Sequence, residues 1–208
     1  IFCNTSDNKA TTRADTFLLY TESDGTLRLF VEDDTNQHRY TSSFDISLNT
    51  WYHVAFTIDG SDSANFDVKL YVDGKLQSGT HTGAWSLATG FCIGRWYAYS
   101  YYFQGSIADV KLYNVELTAA QVLDQYQNPE KVLPEGVASS ALKRWYPLSD
   151  YDTTGADSLD DLYLQDCSGN GKSALATGGI MQFSQPNIIP QLGLRSSSSR
   201  IYFDQSDD

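Results

Sequence analysis

Apolar residues recur at every second position along much of the first half of the chain. Residues 17–33 contain two short apolar runs on either side of Ser23-Asp24-Gly25, and the apolar positions of the second run are Leu27, Leu29 and Val31. A two-residue period on both sides of a turn predicts a β-hairpin with one buried face.

Residues 51–60 repeat this pattern, with Val54, Phe56 and Ile58 at alternating positions. The alternation predicts a strand that ends at Asp59-Gly60. His53 has the opposite parity, so we expect it on the outward face of that strand.

A second hairpin is predicted over residues 66–76. Its turn is Asp73-Gly74, a pair that adopts the positive φ values of tight hairpin turns. The alternating apolar residues of its first strand are Phe66, Val68, Leu70 and Val72.

Two more strands are predicted at residues 91–94 and 106–113. The alternation in the second is broken between Ile107 and Val110. An extra residue in one strand shifts the parity in this way, so we predict a β-bulge near Asp109.

One helix is predicted, over residues 117–127. Thr118 is a suitable N-cap, and Gln121 three residues later completes a capping box. Leu117, before the cap, is placed to pack against Val122 as a hydrophobic staple.

The pattern divides the chain into three parts. Residues 1–128 form the main apolar-patterned part, residues 129–141 are a Pro/Gly/Ser-bearing linker, and residues 142–208 form a turn-rich tail. The tail has short strand candidates at 142–148 and 200–203. These bury too little surface to fold alone, so we expect the tail to dock on the first part or on a neighbour.

In order along the chain, WYHVAFTIDG, LYVDGKL, IG and GSIADVKLYNVELTAAQV resemble the second half of a laminin-G-like module of the concanavalin A-like lectin/glucanase type. The resemblance covers roughly residues 15–127. It implies an all-β fold: a two-sheet antiparallel jelly-roll sandwich with one short accessory helix. It also implies a non-catalytic binding or assembly function in an extracellular setting.

The tail resembles the opening segments of such a module, but out of order, in LKRWYPL, DCSGNGKSA and RIYFDQSDD. Either a second tandem module begins here, or the tail supplies opening strands in a permuted or swapped arrangement. In both cases edge strands need partners, so we expect sibling subunits or other structural proteins of one assembly. The sequence of the tail is similar to modules of virion structural proteins of marine tailed phages. This similarity implies a location on a virion surface or on an extracellular appendage.

Charge and hydropathy argue against two kinds of partner, nucleic acid and the membrane interior. The chain has 14 Lys and Arg against 26 Asp and Glu, a net charge of −12, so nucleic acid is not an expected partner. No apolar run is long enough to span a bilayer, and membrane insertion is not expected. Ile1 and Phe2 resemble the interior of a strand, so we expect the chain to be a piece of something longer.

Three cysteines, Cys3, Cys92 and Cys167, lie far apart. They contain no C-x-x-C pair, which argues against a zinc ribbon or a thioredoxin-type site. At most one disulfide can form within the chain, and the pattern does not say between which two cysteines.

Catalytic constellations are not evident. His38, His53 and His81 are isolated from one another, and there is no G-x-S-x-G nucleophile motif. The E-x-D-x-x-E arrangement of sandwich-fold glycoside hydrolases is also missing. We therefore predict that the protein is not an enzyme. The alternative is a polysaccharide-active enzyme or its carbohydrate-binding accessory domain.

Calcium is the ion that the acidic turns favour. In the D-x-S-G-N-G turn, Asp166 and Asn170 offer oxygen ligands, and Asp109 at the suspected bulge completes the predicted site if the tail packs there. The alternative is that Asp166 and Asn170 hydrogen-bond their own turn.

Residues 95–103, RWYAYSYYF, contain six aromatic residues out of nine, in a predicted loop. Aromatic rings with an arginine stack on sugar rings or form protein-interface hot spots. The alternative is that the rings fill a core beneath a long loop. The predicted ligand-binding residues are Arg95, Trp96, Tyr97, Tyr99, Tyr101 and Tyr102.

Overall fold

In the computed structural model, the regular structure of the described residues is mostly β-strand, with one α-helix. The described residues are 2–5, 16–32, 37–59, 67–77, 90–96, 101–148, 151–152, 163–172, 174–175 and 200–203. The strands lie in antiparallel sheets, which confirms the all-β fold class predicted from the alternating pattern.

The strands are numbered in chain order. The first eleven are β1 (Phe2–Thr5), β2 (Thr16–Thr21), β3 (Thr26–Glu32), β4 (Gln37–Asp45), β5 (Trp51–Tyr52), β6 (Val54–Asp59), β7 (Asp67–Val72), β8 (Lys75–Leu76), β9 (Gly90–Ile93), β10 (Arg95–Trp96) and β11 (Tyr101–Tyr102). The remaining elements are β12 (Gly105–Ala108), β13 (Val110–Tyr113), helix α1 (Ala119–Gln127), a 3-10 turn (Ser139–Ala141), β14 (Leu142–Tyr146), β15 (Tyr151–Asp152), β16 (Tyr163–Leu164), β17 (Ala174–Leu175) and β18 (Arg200–Phe203).

The chain forms two compact units. The first comprises residues 1–106 and 202–208, and the second comprises residues 107–201.

The larger sheet of the first unit has five strands in the order β4-β3-β2-β1-β9. The predicted hairpin at residues 17–33 is confirmed as β2 and β3, which pair in antiparallel register. Leu27, Leu29 and Val31 are fully buried, so the every-other-residue pattern marks the inward face correctly.

A second sheet of the first unit, in the order β6-β7-β8, packs against this one. The ring centroids of Phe17 on β2 and Phe56 on β6 are 5.0 Å apart, so side chains of the two sheets meet in a shared core. On β7, Val68, Leu70 and Val72 are buried as predicted. Burial of alternating apolar side chains between two sheets is the main source of stability in a sandwich.

The predicted tight turn joins β7 to β8. Asp73 and Gly74 have φ values of 50° and 74°, the two positive angles of a type I′ hairpin. The Asp73 carboxylate also accepts a hydrogen bond from the backbone N–H of His53 at 2.9 Å, and the Asp73 N–H donates to the His53 carbonyl at 2.8 Å. The turn is therefore bound to the neighbouring strand at both groups.

The expectation for His53 was wrong. His53 is 6% exposed, and it interrupts the predicted strand between β5 and β6. The hydrogen bonds to Asp73 hold the backbone at this break, where the simple alternation of faces no longer applies. Tyr52, His53 and Val54 are consequently all buried.

In the second unit, the predicted helix is confirmed as α1. The Thr118 side chain accepts a hydrogen bond from the N–H of Gln121 at 3.3 Å, and the Gln121 side chain accepts one from the Thr118 N–H at 2.9 Å. Leu117 and Val122, the staple pair, are both buried. None of the described helical residues forms a segment with the length and hydrophobicity of a bilayer-spanning helix.

The segment 129–141 packs along this helix. Asp124 on α1 accepts hydrogen bonds from the Lys131 ammonium and from the backbone N–H of Glu135, each at 2.8 Å. Pro134 is fully buried. These contacts bring the chain back to β14, which pairs with β13 in antiparallel register.

Candidate functional site

The aromatic segment forms a short antiparallel ladder within the first unit. β10 pairs with β11, so that Arg95 lies opposite Tyr102 and Trp96 lies opposite Tyr101. The register therefore brings four of the six predicted ligand-binding residues into two cross-strand pairs.

Gly94 begins this ladder. Its φ of 80° lies in the left-handed region that glycine adopts without strain, and its carbonyl accepts a hydrogen bond from the Phe103 N–H at 2.8 Å. This segment was predicted to be a loop, but its two described ends, β10 and β11, pair with each other. Tyr97 and Tyr99, two of the predicted ligand-binding residues, lie outside the described residues.

Asp109 lies in the second unit, between β12 and β13. Its φ is 56°, which interrupts the strand where the parity break predicted a bulge. The residue is 1% exposed. Its Oδ1 accepts a hydrogen bond from the indole Nε1 of Trp145 at 2.6 Å, and its Oδ2 is 3.2 Å from the Lys111 ammonium. The carboxylate therefore joins β13 to β14.

Lys111 is the buried cation of this cluster, with a side chain that is 3% exposed. Its ammonium donates to the Gln125 Oε1 at 3.4 Å and to the Lys131 carbonyl at 3.1 Å, and it lies 5.8 Å from the centroid of the Trp145 ring. Burial lowers the pKa of Lys111 to about 7, even with Asp109 beside it. Lys111, Asp109, Trp145 and Gln125 are named the buried polar cluster below.

The sequence analysis did not identify this cluster. The one available signal was a charged pair at positions 109 and 111, at the start of a strand whose alternation is broken. The pairing of β13 with β14 brings Trp145 opposite Lys111, and that register is not encoded in either strand alone.

Asp166 anchors the D-x-S-G-N-G turn to β14. Its Oδ1 accepts hydrogen bonds from the backbone N–H groups of Trp145 at 3.0 Å and Ser168 at 2.9 Å, and its Oδ2 accepts one from the Lys172 N–H at 3.0 Å. Burial acts to raise the pKa of Asp166, but the hydrogen bonds from Ser168, Trp145 and Lys172 outweigh it and lower the pKa from 3.8.

Asn170 holds the same turn against β14 through its side-chain amide. Its Nδ2 donates to the carbonyl of Leu142 at 2.9 Å, to the carbonyl of Lys143 at 3.3 Å and to the Ser168 Oγ at 2.9 Å. The turn therefore makes hydrogen bonds to backbone groups of several β14 residues, as a neighbouring strand would.

Two of the three predicted calcium ligands contact Trp145, since Asp109 binds its side chain and Asp166 binds its backbone, whereas Asn170 binds Leu142 and Lys143 on the same strand. Among the described residues, no group of three or more His, Cys, Asp or Glu side chains is placed to hold a metal ion. The contacts of Asp166 and Asn170 are those of the alternative, in which both residues hydrogen-bond the turn and the strand beside it. The calcium site stays a prediction.

A comparison with known protein families agrees with the fold. The model of the family described as the Concanavalin A-like lectin/glucanases superfamily matches residues 2–123, more than half of the chain. No curated protein and no solved structure matches the chain. The match ends within α1, so β14 and the turn that Asp166 anchors lie beyond it.

Proposed function

Because the chain belongs to the concanavalin A-like lectin/glucanase superfamily, we propose that it is a non-catalytic binding and assembly module that recognises glycans through the aromatic hairpin β10–β11. The family supports a carbohydrate-binding or adhesion-type function. Its description also includes glucanases, which makes a polysaccharide-active enzyme the second candidate.

One observation carries the proposal, the register of the aromatic hairpin. In this register Trp96 is opposite Tyr101 and Arg95 is opposite Tyr102. A tryptophan next to a tyrosine offers a rigid apolar platform of the size of a sugar ring, with polar groups at its edge. The same composition is typical of protein-interface hot spots, so a neighbouring subunit is a second ligand for the same surface.

Charge favours neutral ligands over polyanions. The net charge of −12 opposes association with nucleic acid or with strongly anionic polysaccharides. A neutral glycan incurs no such repulsion. Stacking energies are insensitive to net charge, which suits recognition by aromatic rings.

The setting we propose is an extracellular appendage or a virion surface. Modules of this kind are typically extracellular, and the resemblance of the tail to phage virion proteins supports the narrower setting. Sibling subunits are the proposed first partners, because sheet edges in such an assembly are covered by neighbouring chains.

The test is a glycan array on the full chain, followed by titration calorimetry on the best ligand. Trp96→Ala and Tyr101→Ala should each weaken binding about fivefold, since one stacking contact contributes roughly 1 kcal/mol. Tyr126→Ala is the matched control, because Tyr126 is an aromatic residue 40% exposed on α1. If both hairpin variants bind as tightly as the unmodified protein, the aromatic-hairpin assignment is wrong.

The enzyme alternative needs its own measurement. The same glycans are incubated with the protein and assayed for new reducing ends. We expect none above the rate of a heat-denatured sample. Sustained release of reducing ends would replace the binding proposal with a hydrolytic one.

A further inference from the structure

We propose that Cys3 and Cys92 form a cross-strand disulfide that joins β1 to β9. The two strands pair in antiparallel register, and Cys3 is the register partner of Cys92. The sequence alone left three possible pairings among three cysteines, and the sheet topology selects one.

The backbone geometry suits this bond. Directly opposed residues of an antiparallel pair have Cα atoms about 4.5–5.5 Å apart and occupy the same face. Disulfides require Cα separations of about 4.4–6.8 Å. Directly opposed cysteines therefore fall within the Cα separation that a disulfide requires.

Cys167 is a poor competitor for either partner. It belongs to the second unit and is exposed, in the turn that Asp166 anchors. Cys92 is half-buried within a sheet of the first unit. Cys167 lies in a turn and has no cysteine opposite it in the described strand pairs, so the register that favours Cys3–Cys92 gives no support to a bond with Cys167.

The bond forms by thiol–disulfide exchange with a low-molecular-weight disulfide such as oxidised glutathione. The Cys92 thiolate attacks one sulfur of the small disulfide, whose S–S bond breaks and releases one small thiolate. The Cys3 thiolate then attacks the Cys92 sulfur of the mixed disulfide and releases the second small thiolate. The protein loses two protons and two electrons, and the small disulfide is reduced to two thiols.

The bond has a consequence for the proposed binding surface. In the five-stranded order β4-β3-β2-β1-β9, strand β9 is the last, and it leads directly into Gly94 and the aromatic hairpin. A link from Cys3 to Cys92 closes a long stretch of chain, which removes much of the conformational freedom of the unfolded state. It also fastens the strand from which the hairpin extends. Extracellular proteins keep such bonds oxidised.

The test is peptide mapping of the full chain. The protein is equilibrated with oxidised glutathione, unfolded without reductant and alkylated. We expect one linked peptide pair that contains Cys3 and Cys92, and Cys167 outside any link, either alkylated or carrying glutathione. Three cysteines that are each alkylated or glutathionylated, or a linked pair that contains Cys167, would overturn the proposal.

Variants separate the bond from other effects of oxidation. The melting temperature of the unmodified protein should rise by about 5 °C or more on oxidation. Cys3→Ser and Cys92→Ser should each abolish this rise, and the control Cys167→Ser should keep it. An equal rise in all three variants would refute the assignment. Because the peptide map uses the unmodified chain, it decides the question even where a variant fails to fold.

Discussion

The indole Nε1 of Trp145 donates a hydrogen bond to the Oδ1 of Asp109 at 2.6 Å. Asp109 lies within the part of the chain that matches the family, and Trp145 lies beyond it. The bond therefore joins β14, which follows the matched part of the chain, to the break between β12 and β13, which lies within the matched part. This part of the tail docks on β13, as expected for a segment with too little apolar surface to fold alone.

Replacing Trp145 by Phe tests this bond. The substitution keeps the aromatic ring and removes the N–H donor, so Asp109 loses a partner in a buried site. We expect the free energy of unfolding to fall by about 1–3 kcal/mol, measured by urea denaturation.

A double-mutant cycle provides the control. Asp109→Asn keeps an oxygen acceptor and a residue type that tolerates positive φ. In that background Trp145→Phe should cost less, because a bond to a neutral amide is weaker than one to a carboxylate. Equal costs in both backgrounds would show that the indole N–H does not act through Asp109.

The buried polar cluster predicts a pH dependence of stability. Burial lowers the pKa of Lys111 to about 7, whereas lysine in the unfolded chain titrates near pH 10.4, a general value. Between these pH values the unfolded chain binds more protons than the folded one. Stability should therefore rise from pH 7 to about 9.5, by at most about 1.4 kcal/mol per pH unit.

Lys111→Met removes this contribution and keeps the length of the side chain. Urea denaturation at several pH values between 7 and 9.5 should show a steeper rise for the unmodified protein than for the variant. Groups that titrate in both proteins cancel in this difference. Parallel curves would show that Lys111 is protonated equally in the folded and unfolded chains.

Asp166→Ala should detach the turn from β14, because three backbone N–H groups lose their acceptor. We expect a loss of about 2–3 kcal/mol in the free energy of unfolding. The control Gln165→Ala alters an exposed neighbour and should change stability by less than about 0.5 kcal/mol. Because the folded pKa of Asp166 is lowered, its stabilisation is present above about pH 4 and is lost as the pH falls further.

The unmodified protein and the Asp166→Ala variant also test the predicted calcium site. If Asp166 binds calcium, millimolar calcium should raise the melting temperature of the unmodified protein relative to a chelator, and it should not do so for Asp166→Ala. Identical melting temperatures of the unmodified protein in calcium and in chelator would remove calcium from the site.

Thr118→Ala should destabilise α1 by about 1 kcal/mol through loss of the N-cap. Thr118→Ser, which keeps the hydroxyl that accepts from Gln121, should be nearly neutral. Circular dichroism during urea denaturation measures both. If Ala and Ser at this position behave alike, the capping box does not contribute to stability.

Local patterns predicted the local features well. Leu27, Leu29 and Val31 mark the inward face of β3, Asp73-Gly74 turns the hairpin, and Thr118 begins the helix. Each depends on residues within a few positions of one another, where steric limits on φ and the periods of strand and helix act directly. His53 shows the limit, because its backbone N–H is bound by Asp73, in a turn 20 residues further along the chain.

The sequence by itself determined the alternating faces, the turns, the helix cap and the family of the fold. Only the tertiary structure decided that Cys3 lies opposite Cys92, that Trp96 lies beside Tyr101, and that Lys111 is buried beneath Trp145. The first and the last depend on strand register between segments far apart in the chain, and the second depends on the register of a local hairpin. Register is set by the hydrophobic pattern of whole strands and by the turns that join them, so no single pair of residues reveals it in the sequence.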